Sequence, residues 1–172
     1  NDIYIGGVFG GEVDFDPGPG QFVITSNVGF DGYLLKLDQN GNFIWANHLA
    51  STSSVHVNDL ITDASGVYVA GNYFGTYDSD PGVAVQQHPS AGNMDIFIQK
   101  FLSNGNTSWV GVYGSTGGDY ANSIDFSNTG TLYISGRFTD TVDFDPGSGT
   151  SWQYATGSVS GFIQELTTSG NF

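Results

Sequence analysis

The sequence predicts an all-β protein built from tandem repeats, and three observations support this fold class. The motif VDFDPG at residues 13–18 recurs as YDSDPG at 77–82 and as VDFDPG at 142–147. A Tyr-x-x-Gly segment precedes each motif at a constant interval, and an Asn-Gly turn follows the first two. Short apolar runs are separated by glycine, of which the chain has 26. Repeats of this length are typical of solenoids, propellers and arrays, and glycine-punctuated short runs are typical of strands.

The repeat spacing defines the domain organisation. Asp16, Asp80 and Asp145 lie 64 and 65 residues apart. We therefore interpret residues 1–172 as one tandem-repeat segment. Its repeats are 1–66, 67–130 and 131–172.

The second repeat is complete and predicts four strands. They are Val57–Thr62, Val67–Phe74, Asp95–Leu102 and Thr107–Tyr113. A turn at Asp63–Gly66 separates the first two, since Asp and Gly favour turn conformations. Asn104-Gly105 separates the last two and is a strong hairpin signal. One repeat is thus expected to form one four-stranded antiparallel sheet.

Several strands carry apolar side chains on both faces. Examples are Ile3-Tyr4-Ile5, Val67-Tyr68-Val69 and Ile96-Phe97-Ile98. Such sheets need cover on both sides, and neighbouring repeats are the natural cover. We therefore expect a β-propeller, in which blades pack face to face around an axis. The chain would supply about three blades, the first and last incomplete, and propellers typically have about four to eight. We expect it to be part of a larger propeller or assembly.

An insertion of about 20 residues separates the second and third strands, longer than an ordinary hairpin loop. In the first copy, Val13–Phe15 and Phe22–Thr25 flank Asp16-Pro17-Gly18. Pro suits the second position of a type II turn and Gly the third. We therefore predict a small hairpin closed by a type II turn, with Trp152–Ala155 as its second arm in the third copy.

The composition excludes several functions. Lys and Arg together number 3 against 17 Asp and Glu, which gives a formal net charge of −14. Nucleic-acid binding depends on Lys and Arg that neutralise phosphates, so nucleic acid is excluded as a partner. No apolar run approaches the roughly 20 residues of a membrane-spanning helix, so no membrane insertion is expected. The chain has no Cys, which excludes disulfides and thiolate chemistry.

These motifs together resemble the bacterial β-propeller repeat known as the SBBP repeat, in a variant that contains DFDPG. The segments that carry the resemblance are Asp63–Gly71, Asp95–Phe101 and Asn104–Trp109. The resemblance implies a propeller in an exported, secreted or cell-surface bacterial protein, and it implies no single activity. The third copy departs from the pattern, with Ser160 in place of Asp and Glu165 in place of Lys.

Each hairpin brings two carboxylates close together, and they are the candidate metal ligands. The pairs are Asp14 with Asp16, Asp78 with Asp80, and Asp143 with Asp145. Paired carboxylates repel unless a cation or backbone N–H groups offset their charge. One interpretation is a Ca²⁺ ion in each hairpin, completed by carbonyls and water. The other is that the Asp before Pro bonds its own turn while its neighbour is solvated.

A catalytic interpretation has little support. His48, His56 and His88 occupy unmatched positions in the repeat. Glycosidases use paired carboxylates, but three near-copies of a pair indicate structure rather than one active site. Trp152 has no counterpart in the other hairpins and is the best candidate for stacking on a sugar or contacting a protein.

We therefore expect a non-enzymatic extracellular module with a structural or adhesive role, belonging to a larger surface or filament-forming protein. Its expected partners are the rest of that polypeptide, further copies of the chain, a glycan or a surface protein. A glycan-binding, lectin-like propeller is the first alternative. A polysaccharide-active enzyme is the second.

Overall fold

The computed structural model describes residues 2–172, and the regular structure of these residues is entirely β-strand. The sixteen strands, in chain order, are β1 (Ile3–Phe9), β2 (Glu12–Asp14), β3 (Val23–Thr25), β4 (Asp31–Leu37), β5 (Phe43–Ser51), β6 (Ser54–Asp63), β7 (Gly66–Phe74), β8 (Thr76–Asp78), β9 (Gln87–Pro89), β10 (Asp95–Leu102), β11 (Thr107–Tyr113), β12 (Tyr120–Phe126), β13 (Leu132–Phe138), β14 (Thr141–Asp143), β15 (Trp152–Tyr154) and β16 (Ser160–Leu166). No helix within these residues is long and apolar enough to cross a membrane. The predicted all-β class is confirmed.

The strands form three main antiparallel sheets. The middle sheet has the order β11-β10-β7-β6, which is the four-stranded sheet that the second repeat predicts. The first sheet has the order β1-β4-β5-β8-β9, since the inserted strands β8 and β9 extend it beyond β5, and the third sheet contains β12, β13 and β16. The same register recurs in all three, since Tyr4 lies opposite Lys36, Tyr68 opposite Lys100 and Tyr133 opposite Glu165. The repeats in the sequence are therefore also repeats in the strand pairing.

The inserted segments form the predicted small hairpins, which are β2–β3, β8–β9 and β14–β15. The predicted type II turn is wrong. Such a turn requires positive φ at Gly18, Gly82 and Gly147, whereas positive φ within residues 2–172 occurs only at other glycines and at Asp140. The carboxylate of the Asp two residues before each glycine accepts the glycine N–H instead, and this hydrogen bond fixes a different turn.

The middle sheet is buried on both faces, as its two-sided apolar pattern predicts. Val67 and Val69 pack in a core cluster with side chains of the first sheet. Tyr68 and Ala70, on the opposite face, pack in a cluster with Leu132 and other side chains of the third sheet. The three sheets therefore stack face to face in chain order.

The same contact joins each sheet to the next. Trp45 Nε1 donates to the carbonyl oxygen of Ser103 at 3.2 Å, and Trp109 Nε1 donates to that of Thr168 at 3.1 Å. In both cases the acceptor belongs to the turn after the third strand of the following sheet. The positive-φ glycine of that turn lies against the indole, so that an added Cβ on Gly105 would meet Trp45 at 3.3 Å. Each tryptophan thus anchors its own sheet to its neighbour.

Candidate functional site: the DPG loops

The candidate metal ligands lie in three loops that close the small hairpins, here named the DPG loops. They are residues 14–22, 78–86 and 143–151. Each loop begins at the last residue of the first arm of its hairpin. The tips of the loops are mostly exposed.

The first carboxylate of each loop closes the loop. Asp14 Oδ1 accepts the N–H of Asp16 at 3.1 Å and the N–H of Phe22 at 2.8 Å. Asp78 and Asp143 make the equivalent pairs of bonds in the other two loops. The interpretation in which this residue is only solvated beside a bonded partner is therefore wrong. The side chain ties the two ends of the loop together because both N–H groups point to one oxygen.

The second carboxylate bonds its own turn. Asp16 Oδ1 accepts the N–H of Gly18 at 2.7 Å, and Asp80 and Asp145 accept the N–H of the equivalent glycines at 2.7 and 2.8 Å. This is an Asx turn, which the sequence offered as the alternative to calcium. A Cβ on Gly20 would lie 2.3 Å from Asp16 Oδ2, and one on Gly149 would lie 2.1 Å from Asp145 Oδ2. The loop backbone therefore passes close to the carboxylate.

These bonds limit what a metal ion could find in the loop. All of the hydrogen bonds described for Asp14 and Asp16 use the Oδ1 oxygens, which leaves the Oδ2 oxygens as the available hard ligands. Within residues 2–172 no group of three or more Asp, Glu, His or Cys side chains could hold a metal ion. A calcium ion prefers six to eight oxygen ligands, so carbonyls and water would have to supply most of them. Calcium in these loops stays a prediction.

Two of the three buried carboxylates outside the loops, Asp31 and Asp95, were not named as candidate site residues from the sequence. Asp31 and Asp95 occupy equivalent positions at the start of β4 and β10, and both are almost fully buried. Asp31 Oδ2 accepts the N–H of Asn27 at 2.8 Å, and Asp95 Oδ2 accepts the N–H of Ala91 at 2.7 Å. Both Oδ1 atoms lack a hydrogen-bond partner within residues 2–172. Each carboxylate thus fixes the loop that precedes its strand.

The surroundings of these two carboxylates differ. His48 Nε2 lies 2.7 Å from Asp31 Oδ2. Burial raises the pKa of Asp95 to about 6, the Ala91 N–H opposes this shift, and the negative charge of Asp119 adds to it. Asp119 is itself buried and accepts the N–H of Ser115 at 2.5 Å. An imidazole therefore lies beside Asp31, whereas a second carboxylate lies near Asp95.

The other histidine with a polar side-chain contact does not form a hydrolytic site. His88 Nε2 lies 2.9 Å from Ser79 Oγ, which resembles the contact between a nucleophile and a general base. Ser79 is completely buried, however, and the same oxygen lies 3.5 Å from the Gln86 carbonyl. A substrate carbonyl could not reach this hydroxyl, so the contact is structural.

The third hairpin exposes two aromatic side chains. Trp152 is 52% exposed and Tyr154 is 69% exposed. They lie two residues apart on β15 and therefore share one face of the hairpin. The sequence singled out Trp152, which has no counterpart in the other hairpins, but not Tyr154, although the predicted second arm Trp152–Ala155 contains both residues. The equivalent positions are Val23 and Thr25 in the first hairpin, and Gln87 and Pro89 in the second.

The fold and the loops define an all-β tandem-repeat protein whose sheets stack through a repeated tryptophan contact. No protein-family model matches the chain. The chain is similar to Regulatory protein FlaEY from Caulobacter vibrioides, with 27% identity over 143 residues. The match covers 82% of this chain and 14% of that protein, so the chain corresponds to a small part of its relative.

Proposed function

We propose that the chain is a non-enzymatic β-propeller segment with a structural or adhesive role. The observation that carries this proposal is the repeated contact between neighbouring sheets, in which Trp45 meets the turn at Ser103 and Trp109 meets the turn at Thr168. Because this contact always joins one sheet to the following sheet, each sheet packs on its neighbour in the same way. Four-stranded antiparallel sheets stacked in this manner are the units of a propeller.

The arrangement of the acidic residues supports a non-enzymatic role. Three loops carry the same pair of carboxylates, and each pair is occupied by backbone N–H groups of its own loop. An enzyme normally has one active site. Its catalytic group has surroundings that the equivalent residues of other repeats lack. The DPG loops have the opposite character, because their geometry is repeated and internally bonded.

The extracellular location is proposed on the resemblance to SBBP-type repeats of exported bacterial proteins. Such a module would present a rigid surface to other cell-surface components. Beads coated with the purified chain should retain bacterial surface polysaccharide or surface protein, and no reducing sugar or peptide should be released over hours. Release of product, lost on Asp→Asn substitution in a single loop, would replace this proposal with the polysaccharide-active enzyme.

Calcium is proposed as the ion that the DPG loops take up, held by the Oδ2 oxygens with carbonyls and water. Millimolar Ca²⁺ should then raise the melting temperature, and a chelator should reverse the change. A variant with Asp16, Asp80 and Asp145 all replaced by Asn should lose this response. Asp125→Asn, at an exposed Asp outside the loops, is the matched control. Equal melting curves with calcium and with chelator would remove calcium from the proposal and leave the fold unaffected.

A specific observation favours glycan binding as a second candidate. Trp152 and Tyr154 form an exposed aromatic surface that the other two hairpins lack. Aromatic rings present large apolar faces at little cost in conformational entropy, and such faces suit the C–H surfaces of neutral sugars. Trp152→Ala should abolish retention on a neutral glycan array. Gln87→Ala, at the equivalent position of the second hairpin, should leave it unchanged. Retention that both variants preserve would exclude this candidate.

A further inference from the structure

The third sheet has an apolar face that is exposed, although the equivalent face of the middle sheet is largely buried. Tyr133 is 40% exposed and Ile163 is 78% exposed. Their equivalents in the middle sheet, Tyr68 and Ile98, are 0% exposed because the third sheet covers them. We name the surface around Tyr133 and Ile163 the outer face of the third sheet. Its position in the repeat is one that a neighbouring sheet covers elsewhere in the molecule.

The first sheet has the complementary face. Ile3 is 42% exposed and Ile5 is 38% exposed on β1. The equivalent residues of the third sheet are Leu132 and Ile134, which are fully buried against the middle sheet. We name the surface around Ile3 and Ile5 the outer face of the first sheet. Its aliphatic side chains occupy the positions that, in the third sheet, pack on the middle sheet.

The structure itself shows how these two kinds of face fit together. Within the core cluster between the middle and third sheets, Tyr68 and Ile98 from one sheet pack with Leu132 and Ile134 from the other. The outer face of the third sheet repeats the first pair as Tyr133 and Ile163. The outer face of the first sheet repeats the second pair as Ile3 and Ile5. The two exposed faces are thus the two halves of an interface that the molecule already contains.

We propose that the outer face of the third sheet binds the outer face of the first sheet in a second copy of the chain. The interface would be heterologous, since two different surfaces meet, and such contacts produce closed rings or open filaments. Two copies would bring together six stacked sheets, within the range of about four to eight that propellers contain. This inference rests on the stacked-sheet architecture proposed above.

The polar residues around the outer face of the third sheet make this contact weaker than those within the chain. In the first sheet, Lys36 Nζ donates to the carbonyl oxygen of Ser103 in the next sheet at 2.8 Å. The third sheet has Glu165 at the equivalent position, and a carboxylate cannot donate this bond. The association is therefore reversible and depends on concentration.

The test uses two variants that each damage one face. Ile163→Asp places a charge on the outer face of the third sheet, and Ile5→Asp places one on the outer face of the first. Sedimentation velocity over a range of concentrations should show self-association of the wild-type chain. Each variant should weaken that association by roughly ten- to hundredfold, because a large aliphatic side chain is lost from the buried contact. Val83→Asp, at a fully exposed loop position, is the control and should associate like the wild type.

Mixing the two variants gives the sharpest test. Ile163→Asp keeps an intact first-sheet face, and Ile5→Asp keeps an intact third-sheet face, so the mixture should form mixed dimers at concentrations at which each variant alone stays monomeric. A wild-type chain that stays monomeric at every concentration would overturn the inference. Association that mixing fails to restore would also overturn it, because the contact would then not be head to tail.

Circular dichroism keeps this inference separate from the function proposed above. Both substitutions lie at exposed positions, so the far-ultraviolet spectrum and melting temperature should remain close to those of the wild type. If the wild-type chain is a folded monomer with a single cooperative transition, only the proposed binding of a second copy is rejected. A wild-type chain in which the three sheets melt separately would count against the stacked-sheet architecture itself.

Discussion

Asp31 and Asp95 occupy the same position in successive repeats, but they lie in different polar surroundings. Both are buried, and both accept the backbone N–H of the residue four positions earlier. Asp31 contacts His48, whereas Asp95 lies near the carboxylate of Asp119. Val112 occupies the position of His48 in the second repeat, and Val55 that of Asp119 in the first. The repeats therefore share a backbone arrangement, but their equivalent carboxylates contribute differently to stability.

The largest expected effect concerns the charge of Asp95. Its pKa is about 6 in the folded state and near 3.8 when unperturbed, so its contribution to stability is greatest below pH 4 and is lost as the pH rises through 6. Asp95→Asn removes this loss. The free energy of unfolding of the variant, minus that of the wild type, should be larger at pH 8 than at pH 4 by roughly 2–3 kcal/mol. Urea unfolding at several pH values measures the change, and a difference that does not vary with pH would contradict it.

Asp31→Asn should lower the stability of the protein, whereas Asp95→Asn should raise it. It replaces a carboxylate that contacts His48 with a neutral amide, and a hydrogen bond involving a charged group contributes roughly 1.5–3 kcal/mol. We expect the free energy of unfolding to fall by about 1–2 kcal/mol near pH 6, less than the full bond because the amide oxygen can still accept the Asn27 N–H. Asp95→Asn measured under the same conditions is the matched control. Stabilisation by both substitutions would show that the two sites do not differ.

The smallest expected effect comes from transferring the partner of Asp31 to the second repeat. Val112→His places an imidazole on β11 at the position that His48 occupies on β5. The new side chain should bring the pKa of Asp95 closer to its ordinary value and change the stability by at most about 1 kcal/mol. Nuclear magnetic resonance titration of the Asp95 carboxyl carbon gives the pKa directly. A value that stays near 6 would show that the position alone does not supply the contact.

The repeat pattern predicted the strands well because each turn carries its own local signal. The Asn-Gly dipeptide and the Asp63–Gly66 turn both lie between strands where expected, although β6 begins at Ser54, three residues before the prediction. The turn at Asp16-Pro17-Gly18 was mistaken because type II preferences describe backbone torsions alone. The side chain of Asp16 offers the Gly18 N–H a partner and so changes the turn.

The electrostatic site was harder to predict than the strands. A pattern that repeats shows which positions are equivalent, and Asp119 is not part of any such pattern because Val55 is its equivalent. Its effect on Asp95 depends on the approach of β10 to β12 across two sheets, which no local signal encodes. The pair Trp152 and Tyr154 was similarly only half predicted. Their common face follows from their spacing of two residues on one strand, β15.

The contact between Trp109 and the turn at Gly170 joins residues that come from different repeats. The indole belongs to the middle sheet, and the glycine, whose added Cβ would lie 2.8 Å from the ring, belongs to the following turn. Each repeat therefore carries the tryptophan for one junction and the turn for another. Duplication of a single unit within the gene would supply both parts of every new junction at once, so an array of this kind can lengthen without a separately evolved interface.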